Sequence, residues 1–392
     1  MRLFARAAFA AALAAAFTAG PAAGQSDILL RLRSGSPLGD RFRIDSAGGV
    51  VARGSLGIGI IPESGNPGGG VRMMWYPFKG SFRAGAPGAS GATNWDDANL
   101  GFYNWAGGYE TTATGIYSFA MGDGSITSGQ SSFAIGEDSE AAGSRSVAMG
   151  LDSRAMSISS FAVGREAHAG TSFRSATNTQ GGAVAIGHKV TADADWSVAM
   201  GWRASTAGFV GSFVYGGSLA GASAATDSMR ATAAGQATWR VPGGFRIFTN
   251  TAATVGVSVA AGGSSWNVIS DRNRKENFLG VDGEDVLARL RYVPVTTWQY
   301  RDEQDRTVRH IGPMAQDWAR AFGFSRDATT INMSDFDGVN LAAVQALERR
   351  TAEQKAQIDA LNGQVAQLQA ANAALEARLQ RLEARATGTA AP

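Results

Sequence analysis

Ser270 and Lys275 stand five residues apart in the polar stretch Ser270-Asp271-Arg272-Asn273-Arg274-Lys275, directly after the strand-like run Trp266-Asn267-Val268-Ile269. A hydroxyl and an amine at this spacing form a candidate self-cleaving dyad, with the serine as nucleophile and the lysine as general base. That chemistry sets a demand on its surroundings. A lysine ammonium ordinarily titrates near 10.4, and bringing it to about 7 represents roughly 4 to 5 kcal/mol. Burial supplies shifts of up to ~3 to 5 units, and neighbouring cations act in the same direction; Arg272 and Arg274 would do so if they stay close. A lone chain offers little apolar surface here, so activity is expected to depend on assembly. Taken by themselves, the same six residues also describe an exposed polar turn, and only their context separates the two readings.

The context is a chain of 392 residues with 51 glycines, 17% charged residues and no cysteine. Length allows two or three domains, and the composition points to a repetitive β protein. Without cysteine there is neither disulfide stapling nor an all-thiolate zinc site, so stability must come from the core or from oligomerisation. Arg2 and Arg6 precede the apolar run Ala7 to Phe17, and the small residues Ala22, Ala23 and Gly24 follow. This is the layout of a signal peptide over residues 1–24, cleaved near Gln25, and it predicts an exported protein at the cell surface, outside the cell or in the periplasm. The apolar run is far short of the ~20 residues that span a bilayer, so no membrane span is expected once it is removed. A net charge of +2, evenly spread along the sequence, argues against a nucleic-acid partner.

A fourteen-residue repeat dominates the middle of the chain. Ser118-Phe119-Ala120-Met121-Gly122 recurs as Ser132-Phe133-Ala134-Ile135-Gly136, Ser146-Val147-Ala148-Met149-Gly150 and Ser160-Phe161-Ala162-Val163-Gly164. After an insertion over Thr171 to Gly182 it returns at Ala183-Val184-Ala185-Ile186-Gly187 and Ser197-Val198-Ala199-Met200-Gly201, and ends loosely at Ser212-Phe213-Val214-Tyr215-Gly216. Fixed-period self-similarity is a solenoid signature. Within each unit, bulky residues alternate with alanine across a strand and glycine turns the chain, while small polar segments such as Asp123 to Ser131 read as turns. Narrow apolar faces of this kind suggest three chains burying them together. Residues 25–115, with Met73-Met74-Trp75-Tyr76-Pro77, Trp95 and Trp105, read as short strands capping the stack, their aromatics serving a trimer core or a sugar site. Residues 218–268 read as a β neck with strands at Thr238–Val241 and Phe245–Thr249.

Two family resemblances follow from these residues. The repeats resemble the head repeats of YadA-type trimeric autotransporter adhesins, which implies a left-handed parallel β-roll. Gly262-Gly263-Ser264-Ser265-Trp266-Asn267-Val268-Ile269-Ser270, Lys275-Glu276-Asn277-Phe278, His310-Ile311-Gly312-Pro313-Met314-Ala315-Gln316-Asp317 and a terminal coiled coil together resemble the intramolecular chaperone domain of endosialidase-type phage tail spikes, serine peptidase family seventy-four. That resemblance implies Ser270 as nucleophile, Lys275 as base and a scissile bond between Ile269 and Ser270, with Asp271, Asn273, Gln316 and His310 in support. The family pattern Ser-Asp-x-Arg-x-Lys carries arginine where this chain has Asn273, flanked by Arg272 and Arg274, which leaves open whether the chain cuts itself or keeps the domain as a permanent trimeriser. Gln316 either donates to a developing oxyanion or packs a short helix running from Pro313 to Phe322 and stopped by Gly323.

Leu341, Val344 and Leu347 open a last helix over residues 341–386, where Ile358, Leu361, Val365, Leu368, Asn372, Leu375, Leu379 and Leu382 form a heptad seam. Its local rules favour two strands, the repeats and the family three. Asp335-Phe336-Asp337-Gly338 begins like a calcium loop without the remaining ligands and reads as a turn. His168, His188 and His310 are too scattered for a metal site, the first two falling in repeat turns, and no cofactor is expected. The expected fold class is therefore mainly β: a trimeric left-handed parallel β-roll or solenoid shaft, a small α+β chaperone domain over 269–340, and an α-helical coiled coil. The expected function is an exported homotrimeric adhesin-like fibre whose partners are its own copies and a glycan or a host or matrix surface ligand. A prophage tail fibre and a carbohydrate-active fibre with its site on the shaft are the rival readings.

Overall fold

The computed structural model describes residues 28–34, 39–46, 50–52, 71–88, 93–171, 181–218, 228–324 and 327–388. The expected signal peptide over residues 1–24, residues 62–70 and most of the insertion after Thr171 lie outside them. The described chain is mainly β, with many parallel strands and three α-helices: α1 (Gly283–Leu290), α2 (Ala315–Phe322) and α3 (Met333–Gly388). It divides into two compact units, one running to Phe245 and including Val259–Ser265, the other formed by Arg246–Ser258 and Trp266 onward. Among the described residues no helix is long and apolar enough to cross a membrane.

The first unit opens with an antiparallel meander of Ile28–Ser34, Gly39–Asp45 and Val50–Ala52. Two parallel ladders follow. The repeats supply five-residue strands such as Phe119–Asp123, Phe133–Glu137 and Val147–Leu151, each paired in register with the equivalent residue fourteen further on. Between them, where small polar turns were expected, each unit holds a second strand of two residues, for example Ile126–Thr127, Glu140–Ala141 and Arg154–Ala155, and these build an eight-stranded sheet of their own. Two residues are too short a run to announce a strand by alternation. His168 begins one of these strands and His188 ends a long one, so neither sits in a turn as the sequence had indicated.

Ala120, Ala134, Ala148, Ala162, Ala185 and Ala199 of the long strands are fully buried, as are Ala141, Ala155, Ala169 and Ala192 of the short ones. The core is thus a seam of methyl groups, and the bulky alternate residues point outward. Met121 remains 45% and Phe161 37% exposed, and Trp105, Phe119 and Phe133 stack in a column with ring centroids 4.5 and 4.9 Å apart. The repeat serine precedes each strand instead of beginning it, and its Oγ donates to the carbonyl three residues back: Ser118 to Gly115 at 2.8 Å, Ser132 to Gly129 at 2.7 Å, Ser146 to Gly143 at 2.6 Å. These serines are buried, and the bond satisfies a hydroxyl that would otherwise be costly there.

The repeat glycine is fixed by a close approach. Gly150 has φ +128°, and a Cβ on it would lie 1.8 Å from the carbonyl oxygen of Gly164; Gly136 and Gly187 are crowded in the same way by Gly150 and Gly201. The corners that follow carry non-glycine residues at positive φ, including Asp138 (53°), Asp152 (50°) and Lys189 (55°). The strain of that conformation is offset because each corner amide still donates to the rung before it, Asp138 to Asp123 at 2.8 Å and Asp152 to Glu137 at 2.9 Å.

The ladder extends past the sequence repeat at both ends. Ser81–Ala86 and Trp105–Tyr109 are parallel rungs before Phe119–Asp123, and Ala237–Arg240 adds one after Phe213–Gly216. Asn104-Trp105-Ala106-Gly107-Gly108 lies fourteen residues before Ser118 and is a degenerate unit, so part of the expected cap, and part of the expected neck, belong to the ladder itself. Tyr76 and Trp95 are buried inside their own chain, not at a surface.

In the second unit, α1 and α2 pack on the start of α3 around Val286, Val293, Trp318, Val339 and Ala343. Gly323, at φ +70°, stops α2 as expected. Asp335 to Gly338 lies in the first turns of α3 and is not a loop: Asn332 caps it, its Oδ1 accepting from Ser334 N at 2.9 Å, and the Phe336 ring packs at a tilt against Trp318, centroids 4.9 Å apart. The seam residues Ile358, Leu361, Val365 and Leu368 are all at least half exposed in the single chain.

The glycine column yields a prediction. Gly150→Ala should lower stability by roughly 2 to 4 kcal/mol or more, since both the dihedral and the neighbouring backbone oppose a Cβ. Gly363→Ala, in open space on α3, should instead be neutral or gain up to about 1 kcal/mol. Thermal unfolding followed by circular dichroism distinguishes the two.

Candidate functional site

Ser270 follows a short antiparallel hairpin in which Asn267–Val268 pairs with Gly256–Val259, Val257 against Val268 and Ser258 against Asn267. The Ile269 amide continues this pairing to the Gly256 carbonyl at 3.4 Å. The chain then enters a single 3-10 turn, Arg272–Arg274. Five extended residues would separate Ser270 from Lys275 by about 17 Å; the tight turn folds the stretch back on itself. Lys275 Nζ consequently donates to Ser270 Oγ at 2.7 Å.

Asp271 makes the turn. Its carboxylate caps it by accepting from the Asn273 amide at 2.9 Å, and its other oxygen lies 3.5 Å from Arg274 Nε. Arg274 also reaches across to the Thr254 carbonyl at 3.0 Å. That carbonyl is presented by a loop which Asn250 organises, its Oδ1 accepting from the amides of Thr254 and Val255 at 2.9 and 3.0 Å. Arg272 lies over the Phe278 ring at 5.6 Å. Asn273 contributes its backbone to the cap. The arginine that braces this turn is therefore Arg274, one residue beyond the position at which the family pattern carries it. Neither its partner Thr254 nor the organising Asn250 was singled out from sequence; the only signal for them was a short polar Asn-to-Thr segment between two strands.

The other residues expected near the dyad lie elsewhere in the second unit. His310 begins the strand His310–Gly312, which pairs with Thr296–Trp298. Its Nε2 is 3.1 Å from Glu303 Oε1 and its ring stacks on Trp298 at 4.7 Å. Gln316 is exposed on the first turn of α2. Among the described residues no hydrogen bond joins His310 or Gln316 to Ser270 or Lys275. The structure thus brings together Ser270, Asp271, Arg274 and Lys275, all exposed in the single chain.

With hydroxyl and amine in contact, attack by Ser270 Oγ on the carbonyl immediately before it, that of Ile269, would close only a five-membered ring. The family model described as chaperone of endosialidase matches residues 270–324, about a seventh of the chain, and begins at Ser270 itself. No curated protein and no solved structure matches the chain.

Because the Asp271 carboxylate is the cap, Asp271→Ala is expected to weaken the turn by about 0.5 to 2 kcal/mol. Amide exchange at Asn273, slow in the wild type relative to its exposed neighbours, should accelerate accordingly, while exchange in α3 stays unchanged.

Proposed function

We propose that this chain is an exported homotrimeric fibre, adhesin-like in its repeats, whose segment 269–340 is an intramolecular chaperone that drives trimerisation and then cuts the backbone between Ile269 and Ser270. The 2.7 Å contact between Lys275 Nζ and Ser270 Oγ carries this reading, because it sits at the first residue of the segment matched to chaperone of endosialidase. Neutral Lys275 takes the hydroxyl proton as Ser270 Oγ attacks the Ile269 carbonyl carbon. The peptide C–N bond breaks, the proton passes to the departing Ser270 amine, and an ester joins Ile269 to Ser270 Oγ. Water then opens the ester, leaving a carboxylate on Ile269 and restoring the hydroxyl.

Assembly supplies what the single chain lacks. The second unit leaves Leu279 89%, Tyr292 81% and Ile311 74% exposed, apolar side chains whose burial against other copies would be favourable. Packing of three such surfaces dehydrates the neighbourhood of Lys275, so the cut reports completed assembly. The repeats wind as a left-handed parallel β-roll, three chains covering the outward Phe, Met and Val rows. The α3 seam closes as a trimeric coiled coil, with the β-roll's larger interface outweighing the local preference of its a and d positions. Gln316 and His310 of a neighbouring chain are available to the site in the assembled form.

Intact mass and sedimentation of the mature protein test this. Wild type is expected as two fragments split at Ile269/Ser270, with Ser270→Ala and Lys275→Ala uncut and all three trimeric. A single uncut trimer in every case would remove the peptidase and leave a permanent trimerisation domain; an uncut monomer would remove both.

A further inference from the structure

Both sides of the proposed reaction are fastened to one short loop. The strand that presents the Ile269 carbonyl is tied by the Ile269 amide, which donates to the Gly256 carbonyl at 3.4 Å. The turn that carries the amine is tied by Arg274 Nη1, which donates to the Thr254 carbonyl at 3.0 Å. Those two carbonyls stand two residues apart, so residues 254–256 set where the base-bearing turn lies relative to the bond after Ile269. Arg274 is the neighbour of Lys275 in the chain, and fixing it fixes the direction from which the amine reaches Ser270 Oγ. Without this tie the approach would rest on the 2.7 Å contact between two exposed side chains, and ordering a lysine side chain alone costs up to about 2 kcal/mol.

The loop is itself held from several directions by Asn250. Its Oδ1 accepts from the Thr254 and Val255 amides at 2.9 and 3.0 Å, its Nδ2 donates to Thr254 Oγ1 at 2.7 Å, and its carbonyl accepts from the Ala253 amide at 3.1 Å. The Thr249 amide closes the loop on the Val255 carbonyl at 2.9 Å. Ala253 sits at φ +51°, a conformation that disfavours a residue with a Cβ and persists where the surrounding bonds impose it. We propose that residues 250–256 are the template of the self-cleavage site, with Asn250 and Arg274 as positioning residues, so that the bond after Ile269 is cut only in chains whose loop has closed. This template rests on the cleavage reading and adds a folding condition to it. Among the described residues neither Asn250 nor Arg274 is hydrogen-bonded to Ser270 or Lys275, and both act through geometry; a misplacement of about 1 Å can cost about a hundredfold in rate.

The fraction of full chain cut at Ile269/Ser270 is followed by mass against time during cell-free synthesis, with trimer content measured by sedimentation on the same samples. Asn250→Ala and Arg274→Gln should each cut about tenfold or more slowly at wild-type trimer content. Asn250→Asp, which keeps the Oδ1 acceptor, should cut near the wild-type rate. The double variant Asn250→Ala/Arg274→Gln should be no slower than the slower single one, because both changes break the same link. Arg246→Gln, which alters a cation of the same sheet lying over the Phe248 ring at 4.6 Å, should cut as wild type does. If Asn250→Ala fails to assemble, the exposed Arg274 carries the test from the other end of the tie. A wild type that is never cut would remove the cleavage reading and the template with it. With wild type cut, equal rates in Asn250→Ala and Arg274→Gln, an Asn250→Asp as slow as Asn250→Ala, or a double variant slowed by the product of the single effects would each overturn the template and leave the dyad standing.

Discussion

Parallel rungs stacked at one strand spacing oblige every rung to present the same backbone to the next, and the rest of this molecule follows from that obligation. The gap between the long and short strands admits a methyl group and little else, so alanine recurs on both sides of it. Where the backbone of one rung lies against the carbonyl of the next, even a methyl is too much, and Gly136, Gly150 and Gly164 recur instead. The buried serine before each strand closes the turn locally without adding volume. A ladder built this way buries mostly methyl groups between its two sheets and leaves alternate strand residues such as Met121 and Phe161 facing outward. Covering those outward rows is the part that the proposed assembly of several chains would play.

The same division of labour holds in the second unit. Local covalent geometry is complete in one chain: Asp271 caps the turn, Arg274 ties it to the Thr254 carbonyl, and the amine meets the hydroxyl. What a single copy does not provide is a dry environment around the amine. Chemistry of this kind is poised by sequence-local contacts and enabled by long-range ones. Parallel ladders form slowly from non-local pairings and expose sticky edges while they do so, a difficulty that the proposed cut, made only after assembly, would address.

Much of this was legible in the sequence because the repeat and the dyad are local. Fourteen-residue spacing located six rungs, Gly323 stopped α2, and five-residue spacing located the Ser–Lys pair. What escaped has physical causes. The two-residue strands are too short for alternation to register, and Trp105–Tyr109 and Ala237–Arg240 join the ladder through backbone bonds that do not require the repeat's side chains. Asp335-Phe336-Asp337-Gly338 has the composition of a turn, yet Asn332 caps it and Phe336 anchors it on Trp318, so packing overrides propensity. The brace from Arg274 to Thr254 joins residues twenty apart through a main-chain carbonyl, which no side-chain pattern can disclose.

Phe161 pairs directly with Val184, although twenty-three residues separate them, where the pairs on either side, Val147 with Phe161 and Val184 with Val198, are separated by fourteen. The ladder therefore crosses the insertion without losing register, and Ala162 still lies beside Ala185. The chain can leave the stack at this corner and rejoin it one rung later with an arbitrary number of residues between. Such a corner is a natural splice point, at which chains sharing this ladder can differ in sequence and length while the rungs above and below stay the same.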